Sequence, residues 1–198
     1  MTTSFAVSWD YLCPFARNAH EHLLAGLDAG ADWDVKFVPF SLGQAHVADE
    51  DPPIFDLPGG RQYLYALAAG VTVRDHHPDK FHGFHAAMFS ARHDSARDIK
   101  EEAIVRAVIS EQGFDVDAVM SKFDESVAKI ASEHRAAVDQ HAMFGVPTFV
   151  LEDRAVFVRL MDRPGDDTKK GLEAVEGVLR LLEEMPTLNE FKYTKISR

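Results

Sequence analysis

The stretch Ser4-Phe5-Ala6-Val7-Ser8-Trp9-Asp10-Tyr11-Leu12-Cys13-Pro14-Phe15 decides how this chain is read. Ser4–Trp9 is apolar and alternating, which predicts a strand. Asp10–Cys13 reads as a short loop. Pro14 suits the first position of a helix, where its missing N–H has no partner to lose. That helix is expected to run to about Ala29, with Phe15, Ala19, Leu23, Leu24 and Leu27 on its apolar face and Gly26 and Gly30 weakening or ending it. Cys13 therefore stands at a helix mouth, where unpaired N–H groups and about half a positive charge favour a thiolate. The thiolate is the nucleophilic form. The bland alternative for a lone cysteine is a small buried hydrophobe.

Outward from this stretch, Trp33–Phe40 reads as a second strand with Val35 and Phe37 on one face. Residues 41–60 form a loop rich in Pro, Asp and Gly. Helices are expected at Gln62–Ala69, at Asp79–Ala91 with Phe81, Phe84, Met88 and Phe89 inward, and at Ala96–Gln112, stopped by Gly113. Asp115 is a candidate cap for a fourth, reaching about Gln140 through Val119, Phe123, Val127 and Ile130. Strands Thr148–Leu151 and Ala155–Val158 flank the turn Glu152-Asp153-Arg154. Asp166–Met185 is the last amphipathic helix, closed by Pro186; the tail Phe191–Arg198 has no clear structure. The order β-α-β, helices, β-β-α predicts an α/β fold. A mixed four-stranded sheet carries helices on both faces, and a large helical insertion covers one end.

The 198 residues suit one domain with an insertion, and 46% of them are hydrophobic, enough for a core. A net charge of -11 without a basic stripe argues against nucleic acid. No apolar run spans a bilayer, and the N-terminus lacks a basic, then apolar, secretory pattern, so a cytoplasmic protein is expected. One cysteine excludes an internal disulfide and a thiolate metal cluster. His82 and His85, three apart, could share a metal, but their neighbours read as a helix flank and no metal is expected. His20 lies about two helical turns from Cys13, too far to be its base. Trp9, Tyr11 and Phe15 either line a cleft or fill the core. The runs Asp49–Asp51 and Asp166–Asp167 read as solvated.

Val146-Pro147-Thr148 is the second signal: a proline opening a strand, its peptide either cis or ordinary trans. Asp10–Phe15 together with Phe144-Gly145-Val146-Pro147-Thr148-Phe149 resembles the DsbA family, which includes kappa-class glutathione transferases and hydroxychromene-carboxylate isomerases. The resemblance implies a thioredoxin-like domain from residues 1–44 and 141–198, with 58–140 as the helical insertion. It implies that Pro147 is cis and faces Cys13, and that the Val146 backbone binds extended thiol peptides. Cys13 is then the catalytic candidate, with Pro14, Phe15, Val146, Pro147 and Thr148 around the substrate. The tail Pro186–Lys192 is similar to those of DsbA-like reductases in mycothiol-using bacteria. One departure stands out. Family oxidoreductases read Cys-x-x-Cys, whereas this chain reads Cys13-Pro14-Phe15-Ala16. Isomerase and transferase members usually carry serine at the first position.

Three functions follow as expectations. In the first, Cys13 is a monothiol oxidoreductase using a low-molecular-weight thiol of the glutathione or mycothiol type as co-substrate, with no tightly bound cofactor. Its partners would be that thiol and a disulfide or small-molecule substrate; a homodimer is compatible with the sequence. The second is a thiol-dependent transferase or isomerase, and the third a redox-inactive peptide-binding module. Two further expectations concern the site: Cys13 titrates below a free thiol, and the helical block roofs a cleft over it.

Overall fold

A computed structural model of the chain describes residues 2–48 and 50–193. Asp49 of the acidic run and the end of the basic tail lie outside the described residues. Strand β1 (Thr3–Trp9) runs parallel to β2 (Trp33–Pro39), with Val7 opposite Phe37. On its other side β1 pairs antiparallel with β3 (Thr148–Leu151), which pairs antiparallel with β4 (Arg154–Phe157). The order β2-β1-β3-β4 is the mixed four-stranded sheet that the strand pattern predicts. Alternation fades at Val7-Ser8-Trp9, all buried, because both faces of the central strand are covered there.

Helix α1 (Pro14–Asp28) packs along α8 (Thr168–Glu184), whose N-cap Asp167 accepts the Lys170 N–H rather than being merely solvated. The two helices touch at backbone distance: a Cβ on Gly171 would stand 2.5 Å from Ala25 Cβ and 2.8 Å from the His22 carbonyl oxygen. Gly26 does not end α1. It lies inside the helix beneath Trp33, where a Cβ would be 2.4 Å from the ring. The buried face is also rotated from the expected one. Ala16, Ala19 and Leu23 are buried together with Asn18, His20 and His22, whereas Phe15, Leu24 and Leu27 are half-buried. Asn18 donates to the Leu160 carbonyl and His22 bonds that of Asp162, while Asn18 Oδ1 and His22 Nδ1 have no partner among the described residues.

Between β2 and β3 lie α2 (Leu42–Ala45), α3 (Tyr65–His76), α4 (Pro78–His93), α5 (Glu102–Glu111), α6 (Val116–Met120) and α7 (Phe123–His141). The helix expected at Gln62–Ala69 is instead α3, preceded by a tight turn over Pro58–Tyr63. Ala66–Val73 is buried throughout, so packing overrides the poor helix propensity of Gly70, Val71, Thr72 and Val73. Helix α5 starts at Glu102, because Ala96 adopts φ 52°. The long helix expected from Asp115 is two helices, broken at Ser121-Lys122 so that Val119 and Phe123 can both be buried. Helix α3 packs on α4 and α7, α7 on β2, and α4 on α1. Phe81, Phe84, Met88 and Phe89 are all buried in the block, and Phe81 meets Trp9 and Phe37. No helix among the described residues is long and apolar enough to cross a membrane.

Candidate active site around Cys13

The loop from β1 to α1 is folded on one carboxylate. Asp10 Oδ1 accepts the Leu12 N–H at 2.9 Å, its carbonyl accepts the Cys13 N–H at 3.1 Å, and Oδ2 accepts the Leu42 N–H at 2.8 Å. This turn leaves Cys13 as the N-cap of α1, with Sγ accepting the Ala16 N–H at 3.4 Å and Pro14 opening the helix. From across the fold, the Val146–Pro147 peptide is cis, and the Cys13 thiol donates to the Val146 carbonyl at 3.3 Å. Thr148 secures that loop: its hydroxyl donates to the Gly145 carbonyl at 2.8 Å and its N–H to Ser8 Oγ at 2.9 Å. Of the residues singled out in sequence, Val146 meets Sγ through its carbonyl, while Thr148 bonds Gly145 and Ser8. Pro14 is exposed beside Cys13, Phe15 is half-buried, and Val146 and Thr148 are buried.

The electrostatics correct one expectation. Burial pushes the Cys13 thiol above its ordinary range; the Ala16 and Phe15 N–H groups pull it down, and the Asp10 charge raises it further. The helix mouth was expected to win, but the thiol is only 7% exposed and has a carbonyl to donate to, both of which favour the protonated form. Asp10 itself is fully enclosed, and desolvation raises it to about 6 against its two N–H partners.

Beneath the loop runs a buried chain that the sequence did not announce. Tyr11 O–H meets His85 Nδ1 at 2.8 Å, His85 Nε2 meets His20 Nδ1 at 2.9 Å, and His20 Nε2 meets the Ser8 carbonyl at 3.1 Å. A carbonyl only accepts, so His20 Nε2 carries the proton. For neutral rings every donor then points the same way, from Tyr11 through His85 and His20 to Ser8. Desolvation holds His20 down to about 4 and His85 well below the ordinary histidine value, and it raises Tyr11. His93 Nε2 donates to the Tyr11 carbonyl at 2.9 Å, so α4 grips the loop at two points. The available signal was His20 itself, a polar residue between Ala16 and Leu23 on a buried stripe.

Neither of two cavities formed with the helical block is lined by Cys13. One cavity, of about 600 Å³, lies at the β2 edge between Lys36, Arg74, His82 and Glu133. A second is lined by Phe55, Asp124 and Arg135. Tyr11 is fully buried and fills the space between the loop, Phe89 and Gly70. The helical block closes on Tyr11 beneath the loop, and Cys13 itself is almost entirely buried. Among the described residues no group of three or more His, Cys, Asp or Glu side chains is placed to hold a metal.

Residues 6–163 match the model of the DSBA-like thioredoxin domain. A search of curated proteins returns no match. Among solved structures the chain is similar to the cytosolic disulfide reductase DsbM from Pseudomonas aeruginosa with GSH, at 17% identity and TM-score 0.60, covering 90% of this chain and 100% of that one. It is similar to a 2-hydroxychromene-2-carboxylate isomerase at 16% identity and TM-score 0.58, over 91% and 98%. It is also similar to the oxidoreductase DsbA from Xylella fastidiosa at 21% identity and TM-score 0.54, over 92% and 87%. At these identities the likeness establishes the fold.

Proposed function

We propose, from the premise that the chain belongs to the DSBA-like thioredoxin domain family, that it is a monothiol thiol–disulfide oxidoreductase acting through Cys13. The observation that carries this reading is Sγ held 3.3 Å from the Val146 carbonyl, beside the cis Pro147, in a chain with one cysteine. In this reading residues 1–44 and 141–198 form the thioredoxin-like unit and 58–140 the insertion. A substrate disulfide R–S–S–R′ docks against Val146 and displaces the thiol from the carbonyl. The Cys13 proton passes to water, and the thiolate attacks the sulfur of R. The Cys13–S–S–R bond forms as the S–S bond breaks, and R′S⁻ leaves and takes up a proton. With Ala16 where a second cysteine would stand, no internal thiol can resolve the mixed disulfide. A small thiolate does so: it attacks the R sulfur, releases a small disulfide and returns Cys13 as thiolate. The co-substrate is of the glutathione or mycothiol type, used in the cytoplasm, with no cofactor held between turnovers. DsbM, described with GSH, supports a small thiol as partner.

A second reading is favoured by the thiol's raised titration and its hydrogen bond to Val146. A protonated Cys13 would act as a donor to a bound thiol, as the family serine is placed to do, in a transferase or isomerase. One experiment separates the two. A glutathionylated peptide is turned over with glutathione, and peptide thiol and glutathione disulfide are followed for wild type and Cys13→Ser. Exchange predicts turnover by the wild type, one small-thiol adduct on Cys13 by mass, and none of either in the variant. Equal turnover by both proteins refutes it. Thiol addition to an electrophile that survives Cys13→Ser supports the second reading.

A further inference from the structure

We propose that Arg159 is the carboxylate anchor of the Cys13 site, so that the small thiol it takes is one with a free carboxylate, of the glutathione class. This rests on the exchange reading of Cys13 and narrows its co-substrate. The Val158 N–H donates to the Pro147 carbonyl at 3.0 Å, which ties the end of β4 to the cis-proline loop and brings Arg159 beside it. The Arg159 guanidinium carbon stands 5.5 Å from the centre of the Phe15 ring and 6.0 Å from that of Phe157. Phe15 lies two residues beyond Cys13. The Phe157 ring centre is 5.1 Å from that of Phe144, two residues before Val146. The cation therefore bridges the two segments that meet at Sγ.

Charge supplies the second half of the argument. The chain carries a net charge of -11, and its arginines near the start of α1 are occupied: Arg17 and Arg163 are both held by Glu21 and Asp94. Arg159 is exposed and forms no ion pair among the described residues. Glu190 feels its field but pairs with Lys192. Around Arg159, Phe144 is 70% and Phe157 36% exposed. A guanidinium stacked on an aromatic ring keeps its edge free to bind a carboxylate through two parallel hydrogen bonds. Every turnover needs an incoming small thiol, since Ala16 replaces the resolving cysteine. Arg159 is the free cation that these contacts put beside its path.

The test uses the folded full chain and two readouts. In the first, turnover of the glutathionylated peptide is measured with glutathione and with glutathione diethyl ester, which lacks the carboxylates. The wild type is expected to favour glutathione about tenfold in kcat/KM, a preference that Arg159→Gln removes and Arg159→Lys partly keeps. In the second, S-methylglutathione, which cannot exchange, is titrated calorimetrically, and Arg159→Gln is expected to weaken it about tenfold. If turnover depends on Cys13 but the wild type shows no preference, or Arg159→Gln retains it, the anchor is overturned while exchange stands. If no turnover occurs but S-methylglutathione binds the wild type about tenfold tighter than Arg159→Gln, exchange fails and the anchor stands. Equal or no binding to both proteins, without turnover, overturns both.

Discussion

Tyr11→Phe removes a single oxygen and tests whether the buried chain below the active-site loop is as directional as its geometry implies. Tyr11 is fully buried, and its hydroxyl donates to His85 Nδ1 at 2.8 Å. Without it, His85 Nδ1 keeps a lone pair with no donor in an apolar pocket of Trp9, Phe81 and Phe89. A tautomer change offers no escape. If His85 moved its proton to Nδ1, Nε2 would need a donor from His20; His20 would then present a lone pair to the Ser8 carbonyl 3.1 Å away. Either way at least one buried polar group is orphaned, which costs about 1–3 kcal/mol. Phenylalanine fills the same ring volume, so the cavity contribution is small. A loss of about 2 kcal/mol lowers Tm by roughly 4–8 °C in a chain of this size. Urea unfolding at pH 7.5, followed by circular dichroism, measures it. Tyr63→Phe is the control, at a side chain 38% exposed, and should stay within about 0.5 kcal/mol. A Tyr11→Phe midpoint indistinguishable from that of the control would refute the frozen chain.

Two further outcomes follow from the titrating groups. Alkylation of Cys13 by iodoacetamide should inflect at a pH above that of a cysteine in an unfolded peptide, because burial outweighs the helix N–H groups; an inflection below it would restore the helix mouth as the dominant influence. Stability should also fall in acid. His20, held at about 4 when folded against an ordinary 6.5, loses stability as pH drops through that interval, about 3 kcal/mol in all. Asp10, raised from 3.8 to about 6, binds its proton first in the folded chain and gains a similar amount as pH falls from 6 to 3.8. These two nearly cancel. His85 and His134, both depressed by burial, are unopposed. A urea midpoint at pH 4.5 equal to or above that at pH 7 would contradict this balance.

Much of the fold was legible because local chemistry and tertiary structure agree in the sheet. Ser4–Trp9, the Pro14 helix start, the β3–β4 hairpin and the Asp115 cap each carry a one-dimensional signal that the structure uses as expected. The helical block was less legible where burial is complete. Ala66–Val73 has no polar face to set a period, and Gly26 reads as a breaker until α8 and Trp33 are known to press on it. In the site, Cys13 and Val146-Pro147-Thr148 announced themselves, whereas His85, read in sequence as part of a helix flank, is fully buried between Tyr11 and His20. Residues 65 apart in sequence, His20 and His85, become partners only when α1 and α4 meet.

The misjudged Cys13 titration has the same origin. A helix mouth can be read from three residues, Cys13-Pro14-Phe15, and it predicts a thiolate. The opposing influences come from elsewhere in the chain: the Val146 carbonyl 133 residues away and the apolar shell around Sγ. Local signals alone therefore overstate how strongly the helix mouth favours the thiolate at Cys13. The same contact would give substrate docking a role in activation under the proposed exchange function. A substrate whose own N–H takes over the Val146 carbonyl would remove the acceptor of the thiol proton and leave the Ala16 N–H on the sulfur. Under the proposed exchange function, the balance would then shift toward the thiolate when a substrate sulfur is in reach.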